Sequence, residues 1–521
     1  MPTADSSYAK PFLTVPEQIH RLRERGMDCG DESYAADILE RYGYYRLSGY
    51  WYPFRKRPVP SEPQLDENGR EVRLDTFAPG TSLSRVVALY EFDHELRIQL
   101  SDALTHIETA FRYHIGHRLG RVDKFAHRDP EVLGAVREAK QHPFGRLLAA
   151  IAGRTSYPRM VPTNAYRDWL EEYERHEKRA RGDFVLHFRE KYGPHLPIWV
   201  ATEVMSFGLL SSLYDLMPQS DQEILAARFQ VHAADGRGDR SALSNWLNSL
   251  RNVRNICAHY GRVWNRTFDV IIQAPGQARN GGASPLGSLV EDGINNSLYG
   301  VLLVMRHLML SIDPENTIVA DLAGYIDRQS SELDFDIGQL GFPNNWQSNT
   351  IWNSAFTLDR SPMQAASLLD RTECLTAPRT RRRLTSAKPE PKAEPRTSAQ
   401  LEAAKRGAQK SLLRTYLRYN VVIEIQLGET KYYPAFQFRD GKIIDALAEI
   451  NQKFASACIS ATPTQTAKAL LDWWQTPHPG LPPRAAGTSR SPLDLLIDLP
   501  EQEFVEVVDQ TGALNSFVTP E

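Results

Sequence analysis

The sequence predicts a mainly α-helical protein, with an N-terminal helical extension leading into a large helical region and a small α+β domain at the C-terminal end. Three observations lead there. Apolar residues recur at steps of three and four through much of the first 370 residues, the spacing of one helix face. A basic, proline-containing stretch then intervenes: TAPRTRRRLTSAKPEPKAEPRTSAQ, residues 376–400, has almost no large apolar side chain and reads as a solvated linker. Beyond it, β-branched VVIEIQ and the pair YYPAFQF and GKII, joined through Arg439, Asp440 and Gly441, read as short strands leading into a helix. The division that follows is a helical region over 10–370, a linker over 371–400 and a small domain over 401–521.

The elements follow in order. Residues 55–80, with PVPSEP and DENGRE, form an irregular excursion that includes a small hairpin. Gly80 with Thr81 or Ser82 starts a long helix and Gly120 stops it; Leu100, Leu104, Ile107, Phe111 and Ile115 mark its buried face. Leu196–Met217 reads as one continuous, nearly all-buried helix, since Glu203 is its only charge before Asp215. Further helices are expected over Ser241–Tyr260, Ile294–Ser311 and, after the linker, Leu401–Tyr419.

Composition narrows the class of function. At roughly 150 residues per domain, 521 residues make more than one domain. A net charge of -3 supplies no global field for nucleic acid, so any such binding must come from a local patch. Cys29, Cys257, Cys374 and Cys458 form no CxxC pair, which fits a reducing cytoplasm and supports neither a disulfide framework nor a zinc site. His114 and His117 lack a convincing third ligand, so neither metal nor cofactor is expected. The N-terminus does not read as a leader, and the longest apolar run, Leu298–Leu310, is broken by Arg306 and His307, so no membrane segment is expected. No phosphate-cradling glycine loop and no G-x-S-x-G elbow occurs.

The chemistry concentrates in SALSNWLNSLRNVRNICAHYGRVWNR, residues 241–266. On an ideal helix Leu243, Leu247, Leu250 and Cys257 share a stripe, and Arg254 falls in its middle, facing the core. A guanidinium there must be paired or must line a polar cavity. His259 sits in the last turn, before Gly261 as the expected stop, where the negative end of the helix dipole favours imidazolium. Attack of a ribose 2′-hydroxyl on the adjacent phosphate needs proton transfer at both oxygens and stabilised phosphoryl charge, which an arginine and a histidine supply. Arg254 and His259 lie about 140° apart around an ideal helix. The reach of the arginine, a distorted last turn or a second copy of the helix across a dimer must bring them together. Asn255, four residues before His259, is placed to orient the imidazole.

This spacing resembles the arginine-to-histidine signature of HEPN ribonucleases, and RNVRNICAHYGRVWNR is similar to the AbiD/AbiF-type abortive-infection family. YYRLSGYWYPF at Tyr44–Phe54, LYEFDHELR at Leu89–Arg97 with IETAFR at Ile107–Arg112, and LPIWVATEVMSFGLLSSLY at Leu196–Tyr214 resemble that family's other blocks. The resemblance implies a HEPN-type helical fold over 10–370, a homodimer with a composite site, metal-independent RNA cleavage and anti-phage growth arrest. Arg254, His259 and Asn255 take the catalytic roles. The family's likeness to RNA-guided type VI CRISPR effectors adds a regulatory non-coding RNA to the partners worth testing. The rival class is a non-catalytic RNA- or protein-binding module on the same scaffold.

Asp93 with Arg97 and Glu108 with Arg112 are i,i+4 pairs lying beside or inside the apolar stripe, and are expected, with Arg251, to support the site. The aromatic block Tyr42–Phe54 is expected to pack in the core, with base stacking, and phosphate contacts from Arg46, Arg55, Lys56 and Arg57, as the alternative. In the C-terminal region, Phe436, Trp473, Trp474 and Pro477 read as an aromatic-proline binding surface. That text resembles the toxin-binding domain of MbcA/ParS/Xre-type antitoxins, which implies a toxin or other protein as partner.

Overall fold

The computed structural model describes residues 11–58, 72–138, 160–279, 284–291, 293–359, 374–376, 422–427, 430–439, 442–457, 463–478, 481–482 and 490–511. In chain order the helices are α1 (Val15–Glu24), α2 (Glu32–Tyr42), α3 (Tyr44–Trp51), α4 (Leu83–Gly120), α5 (Asn164–Arg179), α6 (Asp183–Tyr192), α7 (Ile198–Val204), α8 (Phe207–Leu216), α9 (Gln219–Arg228), α10 (Arg240–Ala258), the short α11 (Gly276–Arg279), α12 (Leu298–Ile312), α13 (Ile318–Glu332), α14 (Asp445–Ala457), α15 (Pro463–Gln475), α16 (Pro492–Asp498) and α17 (Glu501–Thr511). Strands are short: β1 (Val136–Glu138) pairs antiparallel with β2 (Met160–Pro162), and five more, β3 to β7, belong to the C-terminal part. The protein is thus mainly helical, as the periodicity predicts. Among the described residues no helix is long and apolar enough to cross a membrane.

Local chemistry sets the helix limits. The Ser82 hydroxyl accepts the Arg85 N–H at 3.2 Å at the start of α4, after Gly80 at φ +80, a left-handed position suited to glycine. Asp239 caps α10: its Oδ1 accepts the Ala242 N–H at 3.0 Å and its Oδ2 the Gly276 N–H at 2.9 Å. The single helix expected over Leu196–Met217 is instead two, α7 and α8. Met205 is extended and Ser206 accepts the Leu209 N–H at 3.3 Å, so an internal serine acts as a second N-cap. The excursion at 55–80 closes through antiparallel pairing at its ends: Lys56 N–H donates to the Thr76 carbonyl and Leu74 N–H to the Lys56 carbonyl, both at 2.8 Å, while the expected hairpin tip lies outside the described residues.

The chain divides into two compact units. The first comprises residues 1–108, 248–273 and 288–356. In it α1 packs on α2 and α12 on α13, and the Phe92 ring lies 5.8 Å from Tyr325 and 5.4 Å from Phe335. Every residue of α12 from Leu298 to Ser311 is buried, and Arg306 is accommodated there by donating to the Ile351 and Asn316 carbonyls at 3.2 and 2.5 Å.

The second unit comprises 109–247, 274–287 and 357–521. Phe111 stacks on Phe229 with centroids 4.1 Å apart, and Arg118 grips the Asp221 Oδ1 from Nε and Nη2 at 2.9 and 2.7 Å. The Trp169 indole donates to the Leu209 carbonyl at 2.9 Å, fixing α5 against α8. A Cβ at Gly116 would stand 3.2 Å from the Trp199 Cα, so this glycine lets α4 and α7 approach closely. At the C-terminal end, β3 (Cys374–Thr376), β5 (Thr430–Pro434) and β4 (Ile425–Leu427) form an antiparallel sheet in that spatial order, and β6 (Phe438–Arg439) pairs with β7 (Lys442–Ile443). Helices α14 to α17 pack beside these strands around Leu447, Phe454, Leu471, Trp474 and Phe504. Cys374–Thr376, placed in the linker by composition, is therefore a strand of this sheet. The remainder of the linker and the helix expected over Leu401–Tyr419 lie outside the described residues.

Two histidines of this unit are held neutral by burial. His114, edge-on to Phe229, and His127, edge-on to Tyr173, are each pushed down to about 3 from the ordinary 6.5, first by desolvation and then by the neighbouring Arg228 and Arg128. The unfolded chain takes up these protons near pH 6.5 and the folded chain does not. Stability is therefore complete above about pH 6.5 and falls as pH drops towards 3, by about 1.4 kcal/mol per unit for each histidine. Unfolding midpoints measured between pH 7 and 4 should show this slope, and His127→Leu should roughly halve it, leaving the share of His114.

Candidate functional site

The signature segment lies at the C-terminal end of α10, in the first unit. The helix ends at Ala258 and the last turn closes in a Schellman arrangement: Gly261 N–H donates to the Ile256 carbonyl at 2.8 Å and Tyr260 N–H to the Cys257 carbonyl at 3.1 Å. The left-handed residue is Tyr260, at φ +55, and not the expected Gly261. Gly261 is favoured for a different reason: a Cβ there would stand 3.1 Å from Ile256 Cγ2 and 3.2 Å from the Ile256 carbonyl oxygen, closer than such contacts normally run.

Arg254 is half-buried and does not face the core; its Nη1 donates to the Asn255 Oδ1 at 3.5 Å. The ideal-helix projection places its Cβ in the apolar stripe, yet the guanidinium bonds the side chain of exposed Asn255, as the polar end of a long cationic side chain can while its stem stays by apolar surface. Asn255 and His259 are exposed. The two residues are joined through the backbone, His259 N–H donating to the Asn255 carbonyl at 3.0 Å. Arg251 is half-buried and bonds Asn248 Oδ1 at 2.5 Å. Burial pushes the Cys257 thiol on the inner face up to about 11, so it remains protonated packing.

Below this surface lies a buried carboxylate. Asp93, on α4 and wholly excluded from solvent, accepts the Val263 and Trp264 N–H groups on Oδ1 at 3.0 and 2.6 Å. Its Oδ2 accepts the Tyr50 hydroxyl at 2.6 Å and pairs with Arg97, itself 4% exposed. The Tyr50 ring stacks on Trp264, 6.2 Å between centroids and 8° from parallel. Desolvation pushes the Asp93 carboxyl above its usual range, and Arg97, Tyr50 and the two peptide N–H groups oppose that shift. Asp93 thus ties α3, α4 and the segment just after His259 into one unit. Glu108 is also buried, whereas Arg112, half-buried in the second unit, donates to the Met205 carbonyl at 3.1 Å.

Two cations that bind α3 to the turn complete the arrangement. Arg46 Nη1 donates to the Tyr260 carbonyl at 3.3 Å, and Arg262 donates to the Gly49 carbonyl. Arg262 was not singled out by the sequence; its place beside Gly49 follows from tertiary structure alone. Of the aromatic block, Tyr50 and Trp51 are core residues, while Tyr45 is 91% exposed.

In the C-terminal part of the second unit the tryptophans are not a surface. Trp473 and Trp474 are 1% and 0% exposed, and the Trp474 indole donates to Asn451 Oδ1 at 3.0 Å. Phe436 is half-buried against this core, and Pro477 is exposed. Aromatic and proline residues close together in sequence mark a packed corner here. Among the described residues no group of three or more His, Cys, Asp or Glu side chains is arranged to hold a metal ion.

Residues 37–265 match the Abi-like protein family. The matched stretch takes in α3, α4 and α10 and ends one residue past Trp264, so it contains both sides of the Asp93 network as well as Arg254 and His259. This match supports an abortive-infection family for that part of the chain. No curated protein and no solved structure matches.

Removing the Asp93 carboxylate leaves Arg97 buried without its counter-charge. Asp93→Ala should lower unfolding free energy by about 3–5 kcal/mol, and Tyr50→Phe, which deletes one hydrogen bond, by about 1 kcal/mol. Urea denaturation measures both.

Proposed function

We propose that the protein is an abortive-infection endoribonuclease of HEPN type, acting as a homodimer and cleaving RNA by transesterification. In this reading the 2′-oxygen attacks the adjacent phosphorus and loses its proton, the bond from phosphorus to the 5′-oxygen breaks, and that oxygen is protonated. The products carry a 2′,3′-cyclic phosphate and a 5′-hydroxyl. His259 transfers protons, Arg254 stabilises phosphoryl charge, and Asn255 positions the histidine. One observation carries the proposal: half-buried Arg254 and exposed Asn255 on the last turn of α10 and exposed His259 just past its end reach the same stretch of surface, whose outgoing segment is fixed by Asp93. A buried structural arginine would not account for that exposure. Arg254 and His259 are five residues apart on one helix, so a second copy facing the first would bring an arginine of one to a histidine of the other.

The match to the Abi-like family supports the abortive-infection part. The C-terminal domain is assigned a regulatory or partner-binding role towards a toxin or other protein, through surfaces other than its tryptophans.

The test is cleavage of unstructured RNA in EDTA. Wild type should generate 5′-hydroxyl ends, and His259→Ala and Arg254→Ala should each lose about 100-fold or more in rate. Equal activity of His259→Ala and wild type overturns the assignment. RNA that co-purifies uncut with a wild-type protein lacking cleavage points to the binding-module reading.

A further inference from the structure

Among the described residues, two of the three most exposed large hydrophobic side chains belong to the segments that the site joins. Tyr45 is 91% exposed and Tyr260 is 66% exposed. Arg46, next to Tyr45 on α3 and itself exposed, bonds the Tyr260 carbonyl, and Arg262 bonds the Gly49 carbonyl, so α3 is held to the turn after α10 at two points. Tyr260 directly follows His259 and occupies a left-handed backbone position where glycine or asparagine is the usual residue. Its ring is not repaid by burial, so packing does not explain a tyrosine there. Arg46, Arg254 and Arg251 supply positive charge on these same segments.

Exposed rings interleaved with guanidinium groups are the chemistry of nucleobase stacking with phosphate contacts. Bases paired inside an A-form duplex have no free face to offer, whereas unpaired bases do. We infer that Tyr45 and Tyr260 form a nucleobase-stacking subsite next to His259, with Arg46 meeting the phosphate backbone, and that it selects single-stranded RNA. The inference rests on the nuclease reading for the role of His259, but the subsite is read out by binding alone.

The experiment uses the full chain and a fluorescein-labelled single-stranded oligonucleotide that is fully 2′-O-methylated and so has no nucleophile, with the same sequence as a duplex for comparison. By anisotropy, the single strand should bind at least about 10-fold more tightly than the duplex. Tyr45→Ala and Tyr260→Ala should each weaken single-strand binding about 5-fold or more, and Tyr45→Phe and Tyr260→Phe should retain it. Tyr260→Gly, which suits the left-handed backbone, separates loss of the ring from loss of the fold. Unchanged affinity in the alanine and glycine variants overturns the subsite. So does a change in mass by light scattering without a change in RNA affinity, which would assign the rings to a contact with a second copy. Ring-dependent binding by a wild type that leaves unmodified RNA intact keeps the subsite and discards the nuclease; His259-dependent cleavage with ring-independent binding does the reverse.

Discussion

The site depends on one desolvated carboxylate. Asp93 has four hydrogen-bond partners, one on its own helix and three from two distant stretches of chain, and none of its oxygens reaches water. A lone carboxylate so placed would be strongly destabilising. Here the arginine one turn away, a phenol and two peptide N–H groups replace the lost hydration. Because two of those donors are backbone groups of Val263 and Trp264, the network constrains main chain as well as side chains. The turn carrying His259 and Tyr260 is bounded on one side by the hydrogen-bonded end of α10 and on the other by Asp93. A surface group with that much support behind it can keep a fixed direction without itself being buried.

The arrangement also separates three roles that look alike in sequence. Arginines 97, 254 and 262 all lie in polar-apolar patterns, yet Arg97 is an internal counter-ion, Arg262 is a half-buried clamp on the Gly49 carbonyl, and Arg254 is turned towards solvent. Burial lowers Arg262 from its ordinary value, the expected cost of a guanidinium held by a carbonyl alone.

Much of the fold was legible because helix periodicity and caps are local signals. Gly80, Ser82 and Gly120 bounded α4, and the stripe of leucines located α10. The break at Met205–Ser206 was not legible, since a serine inside an apolar run reads equally as a helical residue and as a cap. The angular position of Asp93 put it beside or inside the apolar stripe, but its partners Val263 and Trp264 lie about 170 residues away and carry no local mark. Arg254 was misplaced because projection onto a cylinder describes Cβ directions and ignores the length of the side chain. Trp473 and Trp474 were misplaced because aromatic rings near prolines have the same text at a surface and in a core.

The strand Cys374–Thr376 has a consequence for where the chain can be divided. Its partner β5 is the middle strand of the sheet, with β4 on the other side. A fragment beginning at 401, the boundary that composition suggests, would strip one side of β5 of its ladder and leave Tyr432 to Pro434 as an open edge, a template for pairing between molecules. The residues that look like tether are thus, at their near end, the stitch that keeps the C-terminal sheet from self-association.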